Sequence, residues 1–102
     1  MRRHIYSEVA SNDIDAVIDL IKAANPSAAK KWFSKIEAKC RRLAQFPNIG
    51  KQRDDLRDGV YCFPCDKYLI FYDITDTAVI IVHVVHGARN LLDVFRTGEA
   101  EE

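Results

Sequence analysis

The stretch VIIVHVVHGARN, Val79–Asn90, decides the fold of this chain. Its first eight residues are all valine, isoleucine or histidine. Such a run of mostly β-branched residues predicts a strand that is buried on both faces of a sheet. Because a buried strand does not readily hold a cation, we expect His86 and Arg89 where the chain leaves the core. Side chains at that point are held on a rigid element and can serve binding or chemistry.

Three further strands are predicted around this one. Two of them, Val60–Phe63 and Tyr68–Ile74, come just before the opening strand, whose predicted range is Ala78–His86. Short polar connections join these two and Ala78–His86 into an antiparallel meander. A short N-terminal strand is expected over His4–Ser7. Because Ala78–His86 is apolar on both faces, we place it at the centre of the sheet.

Two amphipathic helices are predicted between the first strand and the meander. The first is expected to begin after Ser11 or Asn12 and to end near Ala24. Asn25-Pro26 then offers an N-cap and an initial proline for a second helix, Pro26–Gln45. The element order is therefore β-α-α-β-β-β, an α+β fold with an antiparallel two-helix hairpin packed on a small antiparallel β-sheet. The other sheet face is expected to be partly open, which indicates a binding partner.

The 102 residues are enough for one domain. We expect this domain over residues 1–96 and an acidic flexible tail over residues 97–102. Leu91–Phe95 is interpreted as a short helix or an edge strand. No run approaches the roughly 18–20 apolar residues that cross a bilayer, and the N-terminus lacks a signal-peptide pattern. A cytoplasmic protein without membrane contact is therefore expected.

The charge of the chain is unevenly distributed although its formal net charge is zero. The segment Lys22–Arg57 holds ten basic and three acidic residues, a net charge of +7. Such a segment indicates a polyanionic or acidic partner, or else a solvated helix face, and the sequence leaves both open.

The three cysteines do not indicate a disulfide framework, since their number is odd. Cys62 and Cys65 form a C-x-x-C pattern, but in a strand residues three apart face opposite sides, so the two thiols should diverge. No second Cys/His pair has the spacing for zinc. We expect no metal and no cofactor.

The remaining candidates for a functional site are cationic. They are Lys51, Arg53 and Arg57 in one loop, Lys67 in a turn, and His86 and Arg89 at the end of the last strand. Cations of this kind could stabilise a phosphorane, with His86 as the one group that titrates near neutral pH. They could equally be ordinary loop charges or bind an acidic partner. His83 is interpreted as a partnered, semi-buried side chain on the same face as Val79 and Ile81.

An ordered set of motifs resembles a known family. The set comprises Asp19-Leu20-Ile21, Asn25-Pro26-x-x-Ala29, Leu43-x-x-Phe46-Pro47-x-x-Gly50-Lys51, Tyr61-x-Phe63, Tyr68–Tyr72 and Ile81–Asn90. Together they resemble the ParE branch of the RelE/ParE toxin superfamily, over about Tyr6 to Phe95. These proteins are toxins of type II toxin–antitoxin (plasmid stabilisation) modules. Cys62, Cys65 and His83 depart from the usual residues at their positions.

The resemblance implies a cognate antitoxin whose C-terminal segment wraps the toxin and whose N-terminal domain binds operator DNA, so that the toxin meets that DNA only indirectly. ParE-type toxins are associated with inhibition of DNA gyrase, whereas RelE-type toxins cut mRNA on the ribosome. A RelE-like enzyme would carry a tyrosine or histidine in its last segment, and Leu91–Arg96 has neither. The sequence therefore favours ParE.

Three hypotheses follow. The first is a toxin that inhibits gyrase by binding, with Lys51, Arg53, Arg57, Lys67, His86 and Arg89 as candidate target contacts and no assigned catalytic residue. The second is a metal-independent, ribosome-dependent endoribonuclease that uses His86, Arg89, Arg53 and Lys67. The third is a non-toxic module that is retained for antitoxin binding or autoregulation.

Overall fold

A computed structural model describes residues 2–100 of the chain, with side chains for residues 2–96. Five strands and three helices lie in this described range. In chain order they are β1 (Arg3–Tyr6), α1 (Glu8–Ala24), α2 (Pro26–Gln45), β2 (Lys51–Gln52), β3 (Tyr61–Cys65), β4 (Tyr68–Ile74), β5 (Ala78–His86) and α3 (Leu91–Ala100). A 3₁₀ turn, Pro47–Ile49, separates α2 from β2. The predicted α+β class and the order of the predicted elements, β-α-α-β-β-β, are confirmed. The structure adds the two-residue strand β2 in a segment that we expected to be a loop, and the C-terminal segment is a helix.

The strands form one sheet in the order β1-β5-β4-β3-β2. Strand β1 pairs with β5 in parallel, from Arg3 opposite Ala78 to Tyr6 opposite Ile81, and the other pairs are antiparallel. The sheet is therefore mixed and not antiparallel throughout as we expected, because β1 runs parallel to β5. The middle strand is β4, one position from β5, which we expected at the centre. β5 is nevertheless internal, because β1 covers its outer edge.

Helix α1 begins one turn earlier than predicted. Ser7, which we expected to end the first strand, is the N-cap, and its hydroxyl accepts a hydrogen bond from the Ala10 N–H. The reason is that Ala10 is fully buried and already belongs to the apolar stripe of the helix. Helix α2 has both of its predicted ends, and the Asn25 side chain caps it by accepting from the Ala28 N–H.

The core has two parts, one on each face of the sheet. Helices α1 and α2 cover the first part, in which Ile36, Leu43 and Tyr72 are fully buried. Against the second face pack Leu56 from the loop after β2 and two residues of α3, Val94 and Phe95. The expectation of an open apolar sheet face was therefore wrong, because α3 folds back over it.

A β-bulge in β5 changes the direction of His83. Phe71 pairs with His83, but the next residue of β4, Tyr72, pairs with Ile81, so β5 carries an extra residue. His83 consequently packs against Phe95 of α3, with ring centroids 5.1 Å apart, and does not share the face of Val79 and Ile81 as we expected. Its Nδ1 lies 3.1 Å from the Asp13 carboxylate, which also accepts the Val84 N–H at 3.1 Å. The interpretation of His83 as a partnered, semi-buried residue is confirmed.

All three cysteines are free thiols, and the two of the C-x-x-C pattern do not form a redox pair. Cys62 belongs to the core part under α3 and Cys65 to the part under α1 and α2, so the C-x-x-C thiols diverge as predicted. Cys40 is fully buried, and its burial raises the pKa of its thiol to about 12. Burial also raises the pKa values of Cys62 and Cys65.

We expect these thiols to be nearly inert in the folded protein, because the thiolate is the reactive species. At pH 8 Ellman's reagent should modify well under one thiol per chain within minutes, and three once guanidinium unfolds the chain. Ser11→Cys, at an exposed position of α1, is the control and should add one fast-reacting thiol. Rapid reaction of two native thiols, or their joint loss on mild oxidation, would contradict the assignment.

Candidate functional site

Three of the six candidate cations meet at one end of the sheet. Tyr68, the first residue of β4, pairs with His86, the last of β5, and the Gly87 N–H donates to the Lys67 carbonyl at 2.8 Å. The turn between β3 and β4 is tight because Asp66 adopts a positive φ of 55°. This arrangement brings Lys67, His86 and Arg89 together. We call these three residues the strand-end site.

Arg53 and Arg57 lie toward the opposite end of the sheet, whereas Lys51 pairs with Cys62, which pairs with Phe71 in the middle of β4. The Arg53 N–H donates to the Val60 carbonyl just before β3, and the Arg57 side chain reaches Asp73 near the end of β4. From Tyr68 to Asp73 the strand spans roughly 17 Å at about 3.4 Å per residue. The structure therefore does not bring Arg53 together with the strand-end site.

Two of these loop cations, Arg53 and Arg57, form ion pairs with carboxylates. The Arg53 guanidinium donates to both Asp55 oxygens at 2.9 Å, and these hydrogen bonds lower the pKa of Asp55. Arg57 donates to both oxygens of Asp73 at 2.9 Å. Both pairs brace the loop that buries Leu56. Within residues 2–96, no acidic side chain forms an ion pair with the remaining candidates Lys51, Lys67 and Arg89.

His86 is held as a hydrogen-bond donor. Its Nδ1 accepts the Ala88 N–H at 3.0 Å, so the neutral ring carries its proton on Nε2. In this tautomer the ring can donate to a bound group but cannot accept a proton at Nε2. A general base would need the opposite arrangement.

An aromatic row fixes the His86 ring from the core. Trp32 of α2 contacts Tyr68 edge-on with centroids 5.2 Å apart, and Tyr68 contacts His86 in the same way at 5.3 Å. Among the described atoms, the buried Trp32 Nε1 has no hydrogen-bond partner. Sequence reasoning missed Trp32 and Tyr68 as supports of the site, because their contacts join residues far apart in the chain.

The last helix offers no exposed aromatic for proton transfer. Phe95 is only 5% exposed and packs against Phe71, with centroids 5.0 Å apart. It therefore serves the core beneath α3 and is separate from the strand-end site.

A second surface feature is a groove between the two long helices. It has a volume of about 390 Å³, a floor that includes Ile18, Ala29 and Phe33, and a rim with Lys22 and Lys30. An apolar floor with a charged rim suits an amphipathic protein segment.

The part of the chain that the structure describes holds neither a metal-binding cluster nor a membrane-spanning helix. No three His, Cys, Asp or Glu side chains there come close enough to hold a metal ion. No helix there combines the length and apolar character that crossing a bilayer requires.

A helical hairpin packed on a mixed sheet of this topology is shared with two solved toxin–antitoxin structures. A structure described as the chromosomal ParDE toxin–antitoxin system from P. aeruginosa matches with a TM-score of 0.73, at 20% identity, over 84% of this chain and 96% of that one. The RelBE2 toxin–antitoxin complex from Mycobacterium tuberculosis matches with a TM-score of 0.57, at 22% identity, over 83% and 96%.

Sequence comparison defines the branch. Residues 5–91 match the family described as ParE toxin of type II toxin–antitoxin system. Toxin ParE3 of Caulobacter vibrioides is 30% identical over 92 residues, which cover 89% of this chain and 92% of that protein. The chain belongs to the ParE toxin family, and the resemblance in its motifs is confirmed.

Proposed function

We propose that this chain is a cytoplasmic toxin that inhibits DNA gyrase by binding and that a cognate antitoxin neutralises it. The observation that favours binding over catalysis is the hydrogen bond that the His86 ring accepts. Its Nδ1 accepts a backbone N–H, so the side chain presents a donor and not a base. The last segment agrees with this, since Leu91–Arg96 holds neither a tyrosine nor a histidine.

The strand-end site is the surface that we propose for the target. Lys67 and Arg89 are exposed, and no described acidic side chain pairs with them. Lys67 directly precedes β4 and Arg89 follows β5, and backbone hydrogen bonds from Gly87 to Lys67 and from Arg89 to His86 hold these segments together. Exposed cations at one end of the sheet, with no acidic partner among residues 2–96, suit an acidic or phosphate-bearing surface.

The antitoxin is proposed to wrap the helical hairpin. Both solved relatives above are described as toxin–antitoxin systems or complexes, which supports a partner of this kind. The groove between α1 and α2 and the exposed apolar side chains of Val9 and Leu20 suit the apolar residues of such a segment. Operator DNA would then meet the toxin only through the antitoxin.

Two assays with the purified full-length chain test the proposal. We expect it to inhibit supercoiling by gyrase in a dose-dependent way and to leave ribosome-bound mRNA intact in primer extension. Adding the product of the neighbouring small gene should restore supercoiling. Codon-phased mRNA cuts that vanish in Arg89→Ala would overturn the proposal in favour of the endoribonuclease, and absence of growth arrest on induction would favour the non-toxic module.

A further inference from the structure

One flank of α2 carries a regular row of cations that the proposed function does not use. Lys31, Lys35, Lys39 and Arg42 follow at spacings of four, four and three residues, so they share one flank. At 1.5 Å per residue the row extends about 16 Å. We call these four residues the basic strip. Its position is set by two contacts, Lys35 with Asp66 in the β3–β4 turn and Lys39 over the Phe63 ring of β3.

The charge of the basic strip is scarcely neutralised. In the described part of the chain its one ion pair joins Lys35 and Asp66 at 3.1 Å, and both side chains are more than half exposed, so the pair is weak. Glu37, the acidic residue within α2, points to the other flank, where it accepts a hydrogen bond from Tyr6. The strip therefore presents nearly its whole positive charge to solvent.

Aromatic rings accompany the cations. The Lys39 ammonium lies 5.7 Å from the centroid of Phe63, and the Arg42 guanidinium lies 6.0 Å from that of Phe46. Phe46 is 54% exposed, which is unusual for so large an apolar side chain. Cations that follow a backbone, next to rings on which bases stack, are the combination that binds single-stranded nucleic acid.

We infer that the basic strip, with Phe46 and Phe63, binds single-stranded nucleic acid. The cations contact successive phosphates and Phe46 offers a face to a base. An acidic protein segment would use the charges but has no comparable use for an exposed ring, so the observations favour the nucleic acid. The inference stands apart from the proposed function, since it needs neither gyrase nor the antitoxin.

Fluorescence anisotropy of labelled dT15 and rU15 with the full-length chain tests this inference. With four phosphate contacts, log K should fall with log[KCl] with a slope of about −2.8, so affinity should drop about 50-fold between 50 and 200 mM salt. Binding of either oligonucleotide with this slope supports the inference. The oligonucleotide that binds more tightly identifies the natural ligand as single-stranded DNA or RNA.

Matched double variants on the same helix locate the contact. Lys31→Gln/Lys39→Gln should halve the slope to about −1.4 and weaken binding at 50 mM salt by at least about tenfold. Lys30→Gln/Arg41→Gln removes the same charge from the opposite flank and should leave the slope unchanged. Phe46→Leu should weaken binding about tenfold without changing the slope, because stacking is not ionic.

Three outcomes would overturn the inference. The first is no binding of either oligonucleotide at 50 mM salt. The second is an equal loss of slope in the two double variants, which would mean diffuse electrostatic attraction. The third is displacement of dT15 by a 15-residue polyglutamate at equal concentration, which would assign the basic strip to an acidic protein partner.

Discussion

Arg89→Glu is expected to raise the concentration of toxin that half-inhibits gyrase supercoiling by about 100-fold. Arg89 is exposed beside Lys67 and His86, and no described acidic side chain forms an ion pair with it. Reversing its charge replaces an attraction to an acidic target by a repulsion, which costs several kcal/mol at an interface. A loss of about 2.8 kcal/mol corresponds to the 100-fold change. Titration of the variant in a supercoiling assay measures it.

The matched control is Lys30→Glu, which makes the same charge change at an exposed position of α2 away from the strand-end site. It should inhibit gyrase like the parent chain. Both variants should melt within about 3 °C of the parent, since exposed substitutions change stability by about 0.5 kcal/mol or less. Unchanged inhibition by Arg89→Glu would remove the strand-end site from the target surface, and equal losses in both variants would reduce the effect to net charge.

The elements that local patterns determine were predictable from the sequence. Both ends of α2 follow from Asn25-Pro26 at its start and from the apolar stripe that stops before Phe46. The start of α1 was misplaced because two nearby polar positions, Ser7 and Ser11, can each cap a helix, and only the burial of Ala10 decides between them. The bulge in β5 has no local pattern, since it depends on pairing with β4.

The candidate site was predictable only in part, for the same reason. The strand pattern placed His86 and Arg89 at the end of β5, and the structure adds Lys67 beside them. The sequence could not show that Arg53 and Arg57 lie away from the strand-end site, because their distance from that site depends on how β2 and β3 pair. Nor could the sequence show that a carboxylate holds Arg57, since Asp73 lies 16 positions away along the chain.

Gly50→Ala is expected to destabilise the fold by about 3 kcal/mol, which lowers Tm by roughly 12–24 °C. A Cβ at this position would lie 2.2 Å from the Tyr72 Oη and 2.9 Å from the Cys62 carbonyl oxygen. Tyr72 is fully buried and cannot yield easily. Its hydroxyl donates to the Pro47 carbonyl at 2.7 Å and accepts the Gly50 N–H at 3.1 Å, so moving it breaks both bonds. Thermal and denaturant unfolding measure the loss.

Two further variants show whether the Tyr72 hydroxyl causes this loss. Gly87→Ala is the control, since its Cβ would meet no atom closer than 3.4 Å, and it should change stability little. Tyr72→Phe removes the atom nearest the new Cβ. The double variant Gly50→Ala/Tyr72→Phe should therefore be at least about 1 kcal/mol more stable than the sum of the two single effects predicts. Strict additivity would mean that the backbone before β2 shifts to accept the methyl group, and that Tyr72 does not fix the approach of Lys51 to β3.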